Sequence, residues 1–177
     1  QRHDFERIKT FNWWAFVRGD VNGDGKFVNG FSSINPRITF NNNWNVFANF
    51  RYDPGAWDDR NSRGNGIYKL DSRVGMNVGV NSPGGGRFSF GANHGFWTEH
   101  LGGQEHFTNF SMNYSPIDRL KLSLKVGYTN RDSWLIWQGD TNFATFRSKQ
   151  WSPSLGIGMF FSARQQLQLK PLSWRVL

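Results

Sequence analysis

The chain contains no cysteine, which removes disulfide frameworks and thiolate metal sites from consideration. No segment approaches the roughly 18 consecutive apolar residues that carry a helix across a bilayer. Its apolar stretches are short, such as Met159-Phe160-Phe161. Helical spacing is scarcely found anywhere. Carboxylates are the scarcer charge, with 13 Asp and Glu against 21 Lys and Arg, for a formal net charge of +8. There is no nucleophile elbow, no HExxH and no phosphate loop, so no enzymatic activity is expected. The basic residues are spread one or two per strand rather than massed on one element, and no nucleic-acid-binding module is present; nucleic acid is not an expected partner. The chain opens at Gln1 without Met and without a charged-then-apolar leader, so a processed protein or a piece of a longer one is expected.

What is present is a strict period of two. From Trp44 the even positions read Trp44, Val46, Ala48, Phe50 and Tyr52, alternating with Asn45, Phe47, Asn49 and Arg51. Val74, Met76, Val78 and Val80 alternate with Arg73, Gly75, Asn77 and Gly79, and Leu120, Leu122, Leu124 and Val126 with Lys121, Ser123, Lys125 and Gly127. Nine strands are predicted near 7–18, 31–40, 44–53, 67–80, 87–97, 107–115, 120–129, 146–161 and 165–176. Pro171 should break or bulge the last of them, because the apolar phase shifts across it from Leu167 and Leu169 to Leu172.

The predicted connections alternate between short turns (41–43, 81–86, 115–119, 162–164) and long polar loops (19–30, 54–66, 98–106, 130–145). That rhythm belongs to outer-membrane barrels. Aromatics of the apolar set stand at strand ends: Trp44 and Tyr114 beside turns, and Tyr52, Phe96 and Tyr128 beside loops. Amphipathic rings prefer the membrane–water interface. The polar face is rich in Gly, Ser and Asn, whereas a sandwich would fill its interior with bulky side chains.

The expected fold is therefore all-β, an antiparallel up-and-down transmembrane β-barrel. Residues 1–177 form one barrel region, a partial barrel of about eight or nine strands from a larger one, since single-chain bacterial barrels carry even numbers. Outer-membrane lipid and lipopolysaccharide are the expected surroundings, in a Gram-negative bacterium, with other subunits or the remainder of the same chain as further partners. The alternative is a soluble β-sandwich that binds carbohydrate.

Two segments carry a family resemblance. Trp57-Asp58-Asp59-Arg60-Asn61-Ser62-Arg63-Gly64 resembles an Asp-Asp-Arg-x-x-Arg-Gly signature, and Phe161-Ser162-Ala163-Arg164-Gln165-Gln166-Leu167-Gln168-Leu169 resembles a second motif of the same family. That family is the uncharacterised C-terminal outer-membrane barrel region of bacterial proteins with an N-terminal family-nine-like carbohydrate-binding domain. The resemblance implies an outer-membrane location and a larger parent protein with a sugar-binding module. It brings no catalytic residues.

Candidate functional residues fall into four groups. On the face expected to line the lumen stand Arg37, Arg51, Lys69, Arg73, Arg87, Lys121 and Lys125, together with Arg147, Lys149 and Lys170, with Asp71 as the acid placed there. Charges belong there because on the lipid face they cost about 2–4 kcal/mol at mid-bilayer. Such a face either holds an anionic ligand or pairs with acids elsewhere. Asp20, Asn22 and Asp24 match the first half of a calcium loop, but Phe31 occupies the twelfth position, where a bidentate acid belongs. A plain external loop explains the same residues. Trp57, Trp134 and Trp137 are candidate platforms for a sugar ring, and interface anchoring is the competing explanation. Glu99-His100 and Glu105-His106, with His94, could face one another across a hairpin as zinc or nickel ligands, with metal-free surface histidines as the plainer reading.

Overall fold

The computed structural model describes residues 6–58, 66–132, 136–139, 142–162 and 165–173; side chains are described within these limits except at 136, 137 and from 160 onward. The protein is all-β. Its strands are β1 (Ile8–Val21), β2 (Phe27–Phe40), β3 (Asn45–Asp53), β4 (Trp57–Asp58), β5 (Tyr68–Lys69), β6 (Arg73–Asn81), β7 (Phe88–Thr98), β8 (Gln104–Ile117), β9 (Leu120–Arg131), β10 (Ile136–Gly139), β11 (Asn142–Ala144), β12 (Ser148–Ser162) and β13 (Gln165–Ser173). Nine of them form one sheet in the order β1-β2-β3-β6-β7-β8-β9-β12-β13, each antiparallel to its neighbour. The remaining four make two ribbons, β4–β5 and β10–β11. No ladder joins β1 to β13 among the described residues, so the sheet does not close.

Register carries the alternation coherently from strand to strand. Ile38, Val46, Val80, Ala92, Phe110 and Val126 lie opposite one another in one row. The next residue along each strand gives Arg37, Phe47, Gly79, Asn93, Asn109 and Gly127, a row on the other face. A slip of one residue in any strand would exchange its two faces. Among the described residues, no second layer covers the apolar rows. Ala56 is the only apolar side chain that is buried among the described residues, while Val74 and Val78 are 48% and 41% exposed. Leu122 and Leu124 are half-buried between neighbouring strands. The accessible surface is 12596 Å², against about 8,900 Å² for a compact chain of this mass. A sandwich would stack a second sheet on this face; the described residues supply only the two ribbons.

Turn chemistry sets the hairpins. Asn22 Oδ1 accepts the N–H groups of Asp24 and Lys26, each at 3.0 Å, and Gly25 takes φ of 74°. At the opposite end Asn43 takes φ of 62°, a conformation that Asn tolerates better than most residues. Its N–H donates to Phe40 O at 2.8 Å. The expected bulge in the last strand is present: Leu169 pairs with Ile157 and Leu172 with Leu155, leaving 170 and 171 opposite Gly156.

The loop rhythm needs correcting. The expected loop 19–30 shrinks to a turn at 22–26, because Gly19 pairs with Gly30 and Asp20 with Asn29. The expected loop 98–106 shrinks to 99–103. Polar composition suggested loops there, yet a polar hairpin keeps its backbone ladder as long as partners lie opposite. Only the connections around β4–β5 and β10–β11 are long.

Several aromatic rings lie on the polar face, each above a glycine of a neighbouring strand. A Cβ added at Gly79 would sit 2.4 Å from Phe47, one at Gly75 2.5 Å from Trp97, and one at Gly95 2.4 Å from Phe107. The glycines are seats for rings, which covers backbone that glycine leaves bare. Gly79→Val should therefore cost roughly 1–3 kcal/mol of stability, as other overpacking substitutions do. Gly84→Ala, in an open turn with nothing within 4 Å, should be nearly neutral. Equal equilibrium unfolding of the two variants would contradict this account of the glycines.

Candidate functional site

The densest chemistry lies on the polar face, at the end of the sheet opposite the 41–44 and 118–119 turns. Arg51 and Asp53 alternate on β3, so their side chains share this face, and their ion pair spans 2.6 Å. Asp53 lies opposite Arg73 in register, and the two side chains meet at 3.1 Å. Arg73 reaches Glu99 at 3.8 Å, Glu99 reaches Arg131 at 3.9 Å, and Arg131 pairs with Glu105 directly across from it. Cations and anions thus alternate through six residues on or next to five adjacent strands, β3, β6, β7, β8 and β9. Arg51 is held further by two rings, its guanidinium lying 4.2 Å from the Phe31 centroid and 5.6 Å from that of Trp97. A planar guanidinium suits both contacts, since it stacks on rings and forks onto carboxylates.

Asp53 is buried and bonded from both sides by arginine. Glu99, which follows β7, is nearly as enclosed, but its arginines stand farther off. Burial pushes its carboxyl above the ordinary 4.5; Arg73 and Arg131 pull it back, and Glu105 pushes it up again. His100 is pushed down, first by burial and then by the Arg73 charge, so it is neutral at pH 7.

The basic residues singled out from the sequence do not share one environment. Arg51 and Arg73 belong to the ladder. Arg37, Arg87, Lys121 and Lys125 stand on the same face without a carboxylate partner among the described residues. Arg37 lies 5.7 Å from the Trp14 ring and 5.9 Å from Phe47. Lys69 is not part of the sheet: it sits in β5 and pairs with Trp57 of β4, because the strand expected from 67 begins only at Arg73. Asp71 likewise lies before β6 and accepts the Leu101 N–H at 3.2 Å. Lys149 pairs with Asn130 in the row of His106 and Phe96, which is the apolar face. Arg147 binds Asp132 at 3.0 Å beyond the strand, and the Lys170 side chain lies outside the described set.

Sequence reasoning did not place Asp53, Glu99 and Glu105 together on this face. Asp53 closes a predicted strand, while Glu99 and Glu105 stand in the expected loop 98–106 as candidate metal ligands; the period-two phase carried outward from Arg51, Trp97 and Phe107 puts all three here.

The first hairpin spends its polar groups internally. Asp20 pairs with Arg18 at 2.9 Å and accepts from Asn29 at 3.0 Å, while Asn22 caps its own turn and Asp24 is exposed. Glu105 and His106 point to opposite faces. His106 stacks on His94 with centroids 6.1 Å apart, and His94 Nδ1 lies 2.8 Å from Thr108 Oγ1. No cluster of three or more potential metal-ligating side chains occurs among the described residues. Trp57 is exposed, with Lys26 Nζ 5.7 Å from its ring. Trp134 and the Trp137 side chain lie outside the described residues, as do 59–64 and 163–164 of the two motif segments.

No family model, no curated protein and no solved structure matches the chain.

The raised Glu99 carboxyl has a pH signature. The folded state holds this proton more tightly than the unfolded chain does. Its contribution to stability should therefore grow as pH falls from the raised value toward 4.5, and be flat on either side of that window. A Glu99→Gln variant should lose this segment of the pH–stability curve. Titration of the labelled Glu99 carboxyl by 13C NMR should place its midpoint above the ordinary 4.5. A midpoint at or below the ordinary value would contradict the burial argument.

Proposed function

We propose that this chain is a wall of an outer-membrane β-barrel, with its apolar rows against lipid and its polar face lining a water-filled channel. The observation that carries the reading is the single uncovered sheet. Nine strands in register present apolar rows with no protein layer over them among the described residues, while the opposite face holds the ion-pair ladder. In water such a surface would be an aggregation hazard. Against acyl chains the apolar rows find their solvent, and charges on the other side stay hydrated.

The dimensions agree. The row of Phe88 and Tyr114 and the row of Phe50 and Phe96 are eight residues apart on β7. That is roughly 27 Å along a strand, or about 20 Å of height at a barrel's usual tilt, against an apolar band near 25 Å. Aromatic pairs stand toward the two ends of the band, Trp44 with Phe90 at 5.4 Å and Tyr128 with Trp151 at 4.6 Å. In a membrane every backbone group needs a partner, so both outer edges, β1 and β13, must pair in the assembled barrel. The first and ninth strands of an antiparallel meander run in the same direction. Antiparallel closure therefore needs an odd number of further strands, from the rest of the chain or another subunit.

The purified full chain should need detergent to stay in solution. It should migrate differently on a gel before and after boiling, and give stepwise conductance in planar bilayers. A folded monomer in plain buffer would contradict the membrane reading. Membrane insertion without conductance would contradict the channel and leave an anchor for a periplasmic or surface module.

A further inference from the structure

Charge on the polar face of the nine-stranded sheet is sorted along the strands. Four carboxylates stand on or at the end of this face, those of Asp20, Asp53, Glu99 and Glu105, and every one is ion-paired to Arg18, Arg51, Arg73 or Arg131 at the same end. Four acids meet four arginines, so these pairs leave no net charge among themselves. Toward the short turns the same face carries Arg37, Arg87, Lys121 and Lys125, which have no acid partner among the described residues. A cationic field confined to one half of a face attracts anions to that half.

The field has a seat within it. Mid-sheet, a depression of about 330 Å³ is lined by Asn81, Asn93, Asn109, Ser111, Lys125 and Phe47. Its floor is made by glycines such as Gly91 and Gly127, and no carboxylate borders it. Asn93 donates to Asn77 at 3.0 Å, but the Asn109 amide and the Lys125 ammonium have no hydrogen-bond partner among the described residues. Lys125 lies opposite Ser111, and Asn109 opposite Gly127, in the ladder between β8 and β9. Ser111 Oγ donates to Gly91 O at 3.5 Å. One compact positive charge beside an uncommitted amide is a donor set that an oxyanion takes.

We infer that this depression is a binding site for a small oxyanion, a phosphate or carboxylate group, with Lys125 supplying the charge and Asn109 the neutral donor. The paired end keeps its arginines occupied and leaves the seat as the place where an incoming anion is held. From the channel reading the inference takes only that this face meets water. The two therefore fail separately: a chain that is soluble without detergent sinks the membrane wall and leaves the site standing.

Inorganic phosphate titrated into the folded full chain, followed by 31P line broadening, tests the site. Saturable broadening is expected in the wild type and in Lys125→Arg, and it should weaken with added salt. Lys125→Gln should bind at least about tenfold more weakly, as loss of a charged hydrogen-bond partner does. Lys26→Gln, in the first hairpin beside Trp57, should bind as the wild type does. The inference is overturned if the wild type shows no saturable broadening, or if Lys125→Gln binds phosphate as well as Lys125→Arg.

Discussion

Backbone pairing in register is the constraint on which the rest depends. A strand must send successive side chains to opposite sides, and an antiparallel ladder hands that division to its neighbour only if register holds. Here it holds across nine strands, through a bulge in β13 that restores the phase after Pro171. Two chemically distinct surfaces result from one sheet without any core to separate them. Stability of such a sheet comes from ladder hydrogen bonds and cross-strand contacts more than from a packed interior.

The polar face shows how that contact energy is arranged. Rings of Phe47, Trp97 and Phe107 lie across glycines of adjacent strands, so each aromatic–glycine pair ties two strands together. At one end, alternating charge does the same over a longer span, from Arg51 to Glu105. Breaking one carboxylate out of that run would leave an arginine without its anion in a partly enclosed place, which is costlier than losing a surface pair. The arrangement fixes neighbouring strands to one another where the loops begin, the place where a sheet edge would otherwise fray.

Much of this was legible in the sequence because the signal repeats. Nine strands, antiparallel order, the two-residue period and the Pro171 bulge all follow from alternation and from one residue that cannot donate to a ladder. Extents were less legible. Asp20, Asn22 and Gly23 have turn chemistry, yet β1 runs on to Val21 because Asn29 and Gly30 lie opposite. Lys69 and Asp71 continue the alternation of β6 but belong to a connection, since β5 pairs with β4 instead. Glu99 and Glu105 of the ladder stood in a margin of the same kind, the expected loop 98–106, whereas Asp53 closed a predicted strand. Aromatics on the polar face carried a signal, a ring and a glycine at matched register. It becomes readable only once strand pairing is known.

Absence of cysteine makes the central division of faces open to direct measurement. Single cysteines placed in turn from Lys121 to Val126 along β9, in the full chain within its native membrane, can be challenged with a water-soluble maleimide. Labelling should alternate, with 121, 123 and 125 reacting and 122, 124 and 126 protected until the membrane is dissolved. Uniform reactivity along the strand, or labelling at the leucine and valine positions with protection at the lysines and serine, would contradict the account.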